Sequence, residues 1–349
     1  MASSVVGIDL GHGVIRAAEV ADPGKPRPTL VRYHHLQVPT SAIDRGEVVE
    51  KETVAAALKQ LWSQAGFKSK KVVLGVGNQR VLVRDVTLPK MPMARIKESL
   101  PFQVQDILPV SVAEAILDFY PVSEGRDETH DVVHGLLVAA IKEAVLGNVE
   151  AVQLAGLEPV EVDLIPFAVT RALIGPKSSR GSIALVHVGA VTTTVVIAVD
   201  GVPQFVRIIQ NGGDDVNKAL VQRLGMDTRQ AEQVKRGFGL STSGVAPEWR
   251  PAVEVIYQVT GDLMGSIRNT LSFYVSNRPG ATIERIFVAG GGAEMTGFVA
   301  ALADATRLPV FVPDALERFG LARSVDRDSV KSGFAGLPVA AGLTLGSRA

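Results

Sequence analysis

The same order of predicted elements occurs twice along this chain, and this repeat constrains its fold more than any other feature. The first half opens with an apolar run that ends in a glycine turn, Val5–Gly11. Four further segments follow in the pattern strand, strand, helix, strand: Val14–Val20, Leu30–Val38, Lys51–Gly66 and Lys71–Val76. This half therefore reads β-β-β-α-β.

The second half repeats that order. Its segments are Ile183–Gly189, Val191–Val199, Pro203–Gln210, a helix at Gly213–Leu224 and a strand at Glu284–Ala289. Each half also carries an insertion, and the two insertions differ in character. A duplicated α/β fold with two unlike insertions follows from this pattern.

The amino-acid composition excludes several functional classes for this protein. The 349 residues leave room for about two domains. With no cysteine, disulfide scaffolds, thiol catalysis and cysteine metal sites are excluded. The charges balance at 36 basic and 36 acidic residues, which argues against a non-specific polyanion binder. No basic leader and no apolar run of roughly 18 residues is present, so the expected compartment is the cytoplasm.

Two glycine turns stand at matching places in the two halves. Asp9 and His187 each precede a turn glycine by two residues, Gly11 and Gly189 respectively. Either turn alone is a weak signal, since glycine turns join many strands. As a matched pair they favour a phosphate chain held by backbone N–H groups.

A run of three glycines, Gly290–Gly292, follows the last strand of the second half. Three consecutive glycines are entropically costly, so a close backbone approach to a ligand is the favoured explanation, with a simple loop as the alternative. The sequence has no Walker A loop, no complete G-x-G-x-x-G, no H-E-x-x-H and no G-x-S-x-G.

Beyond these features, the chain resembles the actin-like ATPase superfamily, and within it the PilM family of type IV pilus assembly proteins, on the FtsA-like branch. The motifs that carry the resemblance span nearly the whole sequence: GIDLG with IRAAEV, LPKMP, GLEPVEVDLIPFAVTRAL, VGAVTTT, AEQVKR, IRNTLSFY, VAGGGAEMTGF and LPVAAGL. The resemblance implies an actin-like (ribonuclease H-like) fold, with duplicated α/β domains around a nucleotide cleft and an inserted FtsA-type subdomain.

Domain limits follow from the repeat and the resemblance together. The first core is expected at 1–77 and 157–180, with the inserted subdomain at 78–156. The second core is expected at 181–224 and 281–349, with a helical insertion at 225–280.

The resemblance also implies ATP and magnesium as ligands. It places Asp9, Gly11, His12, Gly13 and Arg16 at the first phosphate turn, with Asp9 holding magnesium through water. The implied residues of the second core are Gly189, Thr192 and Thr193 at the second turn, Gly212 and Gly213 near phosphate or ribose, Glu232 and Lys235 around ribose and adenine, and Gly290, Gly291 and Gly292 at the adenosine.

This sequence departs from the family pattern in three ways. After the first turn glycine, where hydroxyl residues are usual, it has His12, Gly13 and Val14. His187 stands where an aspartate is usual, and imidazole is a poorer magnesium ligand than carboxylate. Arg16 replaces the usual lysine. Weaker ATP binding and poorer hydrolysis are expected, and whether ATP is turned over stays open. His187 is either a catalytic candidate beside Asp9 or a packed histidine of a degenerate site.

The resemblance implies an interaction protein. It would bind the cytoplasmic N-terminal peptide of a PilN-like inner-membrane pilus protein, in a groove between the first core and the inserted subdomain, at the inner face of the membrane. The assembly ATPase of the pilus machinery is a further expected partner, and nucleic acid is not. The alternatives are an FtsA-like division filament, which the C-terminal sequence does not favour, and a small-molecule kinase, for which the acceptor-facing carboxylate is missing.

Overall fold

The computed structural model describes residues 4–128, 130–175, 178–241, 243–323, 325 and 334–346. Its strands are β1 (Ser4–Gly11), β2 (Val14–Ala21), β3 (Thr29–Gln37), β4 (Ile43–Asp44), β5 (Glu47–Val48), β6 (Lys71–Val76), β7 (Val81–Pro89), β8 (Ala115–Arg126), β9 (Asp131–Ile141), β10 (Glu158–Leu164), β11 (Ser182–Val188), β12 (Thr193–Val199), β13 (Val202–Ile209), β14 (Arg285–Ala289), β15 (Val310–Phe311) and β16 (Gly320–Leu321). Its α-helices are α1 (Lys51–Ala65), α2 (Met93–Gln103), α3 (Lys142–Leu154), α4 (Ile165–Leu173), α5 (Gly213–Leu224), α6 (Thr228–Phe238), α7 (Arg250–Ser276), α8 (Phe298–Thr306) and α9 (Leu337–Thr344).

The chain divides into two compact units. Unit 1 comprises Met1–Gly175, Gly201–Val206 and Ala315–Ala349, and unit 2 comprises Pro176–Asp200 and Arg207–Asp314. The predicted helices and strands of both halves are confirmed, with ends that differ by a few residues.

A six-stranded sheet in the order β10-β6-β1-β2-β3-β16 forms the centre of unit 1. Strand β1 pairs antiparallel with β2 and parallel with β6. Both faces of β1 are buried, as its unbroken apolar sequence requires. Helix α1 covers one face with Val54, Leu58 and Leu61 and ends at Gly66, whose φ of 65° is the left-handed conformation common after a helix.

The five-stranded sheet, β13-β12-β11-β14-β15, repeats this arrangement. Strand β11 is antiparallel to β12 and parallel to β14, and β14 is parallel to β15. β11 thus corresponds to β1, β12 to β2 and β14 to β6. The duplication predicted from the sequence is therefore present in the strand order and in the strand directions.

The insertion of unit 1 has a small core of its own. Strands β7, β9 and β8 form a three-stranded sheet in that order, and α2 packs on it. Leu88 and Met91 of the LPKMP motif lie in the apolar cluster between them, so this motif has a packing role. The sequence predicts a helix interrupted at Pro101; α2 instead continues two residues past it to Gln103.

The predicted limits of the second core differ from those of the structure. Residues 181–224 and 281–349 were assigned to it, but Gly201–Val206 and the part after 314 belong to unit 1. Strand β16 pairs with β3, and α9 packs against β1, β2 and α4. Helix α9 is buried along its whole length, which explains its apolar sequence.

Glycines allow α9 to approach its neighbours closely. A Cβ atom on Gly7 of β1 would lie 1.9 Å from the carbonyl oxygen of Ala340, and one on Gly342 would lie 2.0 Å from that of Ala168.

Within the described ranges, no helix has both the length and the apolar character that crossing a membrane requires.

We expect Gly7→Ala to destabilise unit 1, because the added methyl group would overlap backbone atoms of α9 and force the strand or the helix to move. The loss should reach the upper part of the ~1–3 kcal/mol that overpacking costs. Urea unfolding followed by circular dichroism measures it.

Gly261→Ala is the control for this substitution. Gly261 lies on the exposed side of α7, and a Cβ there meets no described atom within 4 Å. This variant should be unchanged or gain up to about 1 kcal/mol from helix propensity. Equal effects of the two substitutions would contradict the packing described for α9.

Candidate functional site

The hairpin between β1 and β2 forms the first predicted phosphate turn. Gly11 and Val14 are its last paired residues, so His12 and Gly13 make the turn. Gly13 has a φ of 69°, in the left-handed region that favours glycine. The structure therefore brings the predicted residues of the first turn together in unit 1.

Asp9 and Arg16 face each other across this hairpin. They are register partners, and Arg16 Nη1 donates a hydrogen bond of 2.9 Å to Asp9 Oδ2. Asp9 is buried, and burial raises the pKa of its carboxyl above the ordinary range although Arg16 acts in the opposite direction. The buried carboxylate and the partly exposed guanidinium thus form an ion pair at the base of the turn.

Two glycines allow Arg16 to occupy this position. A Cβ on Gly11 would lie 2.7 Å from Nη1, and a Cβ on Gly336 would lie 2.0 Å from the Cδ atom of Arg16. The arginine stem therefore lies against the segment that leads into α9, and its head lies against the glycine turn.

His12 has a buried ring nitrogen in the same turn. Among the residues that the structure describes, its Nδ1 atom has no hydrogen-bond partner. Such an atom calls for a partner from outside the protein chain, such as a ligand oxygen or water.

The second turn joins β11 to β12 in unit 2. Gly189 N–H donates to the carbonyl oxygen of Thr192 at 2.9 Å, which closes the turn. Thr193 is fully buried and its hydroxyl donates to the carbonyl oxygen of Asn211 at 2.8 Å. Thr193 therefore ties the turn to the chain before α5, while Thr192 stays half-buried.

The glycines at the start of α5 contact this second turn. Gly213 N–H donates to Gly189 O at 2.9 Å, and Asp214 N–H donates to Ala190 O at 2.8 Å. A Cβ on Gly212 would lie 2.4 Å from Ala190 O. Gly212 is thus required because its backbone lies close to the second turn. The first two N–H groups of α5 donate hydrogen bonds to carbonyl oxygens of that turn.

The triple glycine meets the end of β11. Gly290 has a φ of 93°, and a Cβ there would lie 2.4 Å from Val188 O. A Cβ on Gly292 would lie 2.4 Å from Val188 Cγ1, and Gly213 lies next to Gly292. The chain forms a 3-10 turn at Gly291–Glu294 after these glycines, and α8 begins at Phe298.

Glu232 and Lys235 of α6 form a charged network with α5. Glu232 Oε2 accepts hydrogen bonds from Lys235 Nζ at 2.6 Å and from Asn217 Nδ2 at 2.7 Å, and Oε1 accepts one from Arg236 Nε at 2.5 Å. Lys235 also donates to Gly213 O at 3.2 Å. Desolvation raises the pKa of Glu232, but the three hydrogen bonds outweigh it and bring the pKa to about 2.

His187 occupies the position of β11 that corresponds to Asp9 of β1. Its register partners are Thr194 on β12 and Ala289 on β14, whereas Asp9 is opposite Arg16. Asp9 and His187 therefore occupy equivalent positions on their strands, as predicted, but the residues opposite them on the neighbouring strands differ.

Protein-bound magnesium does not fit these residues. Magnesium prefers several oxygen ligands, yet the first turn offers one carboxylate, Asp9, which is paired with Arg16. His187 offers nitrogen in place of the second carboxylate. Over the described ranges, no group of three or more His, Asp or Glu residues is placed to hold a metal ion.

The sequence did not indicate two residues of this site. Asn217 bridges Asp214 and Glu232, with Nδ2 3.1 Å from Asp214 Oδ1, and nothing in its local pattern marks this role. Gly336 contacts Arg16 from 320 positions away in the chain, a proximity that only the tertiary fold creates.

Comparison with solved structures identifies the class of the fold. The chain is similar to a chain of the solved PilM-PilN type IV pilus biogenesis complex, with a TM-score of 0.86 and 25% identity over 98% of this chain and 97% of that one. It is also similar to MreB5 of Spiroplasma citri bound to AMPPNP, with a TM-score of 0.53 and 12% identity over 95% and 98% of the two chains. The molecule is thus an actin-like protein, and the predicted fold class is confirmed.

Sequence comparison then gives the family. The model of the family "Type IV pilus assembly protein PilM" matches residues 7–348, and the chain belongs to that family. It is also 25% identical to the cell division protein FtsA of Bacillus subtilis (strain 168) over 248 residues, or 64% of this chain. The chain spans 54% and 60% of the lengths of the two FtsA relatives that it matches.

We expect Glu232→Gln to destabilise the protein near neutral pH and to lose that effect in acid. A carboxyl whose pKa is lowered on folding contributes stability above its unfolded value of 4.5, and the contribution disappears as the pH falls toward 2. Because the side chain is 34% exposed, solvent screening reduces the expected loss to about 1–2 kcal/mol. Urea unfolding of the parent and the variant across this pH range measures the difference.

Glu254→Gln, on the exposed face of α7, is the matched control and should change stability little at any of these pH values. A Glu232→Gln effect that stays constant from neutral pH to pH 2 would contradict the assigned network.

Proposed function

We propose that this chain is an actin-like, nucleotide-binding scaffold of the type IV pilus assembly machinery. It would bind the cytoplasmic N-terminal peptide of a PilN-like inner-membrane protein and so be held at the inner face of the cytoplasmic membrane. The observation that carries this proposal is the similarity, over nearly the full length of both chains, to a chain of the PilM-PilN complex. Membership of the PilM family supports the same role.

Unit 1 has a surface suited to an extended peptide between its core and the inserted sheet. Tyr120 of β8 packs on Phe167 of α4, with ring centroids 4.8 Å apart, and this contact joins the two parts. Ile116 is on the same face of β8 as Tyr120 and is 40% exposed. Strand β8 is also an edge strand, so its outer backbone groups are available to pair with an added strand.

Each of the two glycine turns, taken by itself, carries groups that suit a phosphate. The first turn supplies Gly11, Gly13, the Arg16 cation and the Nδ1 atom of His12, which has no hydrogen-bond partner among the described residues. The second supplies Gly189 and Thr192 at the carboxyl end of β11, where ligands of α/β sheets commonly bind. Residues around the start of α5, Glu232 with Lys235, and Gly290–Gly292 would hold the ribose and the base. Bound ATP would favour whichever conformation binds it more tightly.

The residues at the two turns favour ATP binding without efficient hydrolysis. Water activation by a carboxylate at the end of β11 is not available, because His187 stands there. Asp9, the other candidate, is paired with Arg16. The protein would then act as a switchable scaffold.

We expect Ile116→Lys to weaken binding of a synthetic PilN-like N-terminal peptide by more than about tenfold, or 1.4 kcal/mol, because it replaces an exposed apolar side chain of the proposed groove with a charged one. Fluorescence anisotropy of a labelled peptide measures the affinity. Since Ile116 is partly exposed, the variant should keep the parent's unfolding midpoint.

Leu154→Lys is the control, since Leu154 is 51% exposed on α3, outside the groove. It should bind the peptide as the parent does, and a scrambled peptide should bind neither protein. No binding of the native-sequence peptide by the parent would refute the scaffold proposal, and equal losses in both variants would refute the groove.

A further inference from the structure

We propose that this chain binds the triphosphate of a nucleotide without needing a divalent cation, with the Arg16 guanidinium as the fixed positive charge that meets the phosphates. The inference rests on the proposed nucleotide binding and adds how the ligand's negative charge is neutralised. Actin-like folds imply magnesium at this place, and the residues of this chain do not fit it.

The carboxylate oxygens near the turns are too few for a metal. Asp9 Oδ2 accepts the Arg16 hydrogen bond at 2.9 Å, and only 9% of the Asp9 side chain is exposed. A magnesium ion at Asp9 would have to compete with a guanidinium already in contact with it. In unit 2, the equivalent strand position presents the imidazole of His187.

Arg16 is held in position from three sides within unit 1. Its head bonds to Asp9, its Nη1 atom lies beside Gly11, and its stem passes next to Gly336. The bond to Asp9 uses one of the five N–H groups of the guanidinium. Since 28% of the side chain is exposed, the remaining donors are accessible to a phosphate group at the glycine turn.

His12 supplies a second group at the same turn. Its buried Nδ1 lacks a hydrogen-bond partner in the described part of the chain, so a phosphate oxygen there would satisfy it. An arginine with a neighbouring imidazole gives the turn two nitrogen donors and one paired carboxylate. This donor set suits an anion and does not suit a hydrated cation.

The net charge of the nucleotide should affect its affinity for a fixed cation. Free ATP carries more negative charge than its magnesium complex, so a fixed cation should bind free ATP at least as tightly. The affinity should also fall as salt rises, because the attraction is electrostatic.

The test is a calorimetric titration of ATP into the full chain, once with magnesium and once with EDTA. The parent should show Kd values within about threefold of each other. Arg16→Met should lose more than about tenfold in both buffers.

Arg32→Met is the matched control. Arg32 also has 28% of its side chain exposed and also pairs with a buried carboxylate, Glu19, at 2.8 Å. Its loss should leave nucleotide affinity within about twofold of the parent. Should Arg16→Met fail to fold because Asp9 is left buried and charged, the double variant Asp9→Asn with Arg16→Met removes both partners and should show the same loss.

The outcomes separate this inference from the proposed function. A parent that binds ATP with magnesium but not with EDTA overturns the inference and leaves nucleotide binding in place. A parent that binds under neither condition overturns both. An Arg16→Met or double variant with the affinity of Arg32→Met also overturns the inference.

Discussion

Close backbone contact at the ends of the two central strands is the constraint on which the rest of this structure depends. At the end of β11, Val188 is approached by Gly290 and Gly292, and the adjoining second turn is approached by Gly212, all at distances that leave no space for a Cβ atom. At β1, Gly7 admits α9 and Gly11 admits Arg16. A side chain at Gly7, Gly212, Gly290 or Gly292 would push apart segments that are far from each other in sequence, and one at Gly11 would displace the head of Arg16.

These contacts give the turns of the two units different chemistry. The turn of unit 1 combines glycines with a partly buried Asp9–Arg16 pair and an imidazole nitrogen that has no partner in the described part of the chain. The turn of unit 2 is held by backbone groups, and the Glu232–Lys235 network lies beside α5. The two halves thus share their strand order, while the residues at the positions of Asp9 and His187 differ.

Much of the fold could be predicted from the sequence, because its signals are local. Apolar runs such as Val5–Gly11 and Ile183–Gly189 predicted the central strands. Asp227 is a typical helix-capping residue, and at the start of α6 its side chain accepts the N–H of Gln230 at 2.8 Å. Residues 315–349 were misplaced because their partners, β3 and α4, are distant in sequence. The glycine runs were recognised, but the protein atoms that Gly212 and Gly290 approach became visible only in three dimensions. The roles assigned to the site residues stay predictions.

The central claim is that the glycine turn of unit 1 binds the phosphates of a nucleotide, and hydrogen–deuterium exchange of the full chain with and without saturating ATP tests it most directly. The account predicts slower exchange in peptides that cover residues 9–16, with no change in peptides that cover α2. Unchanged exchange at this turn, under conditions where the partner peptide still binds, would contradict the nucleotide site and leave an actin-like scaffold that works through its peptide groove alone.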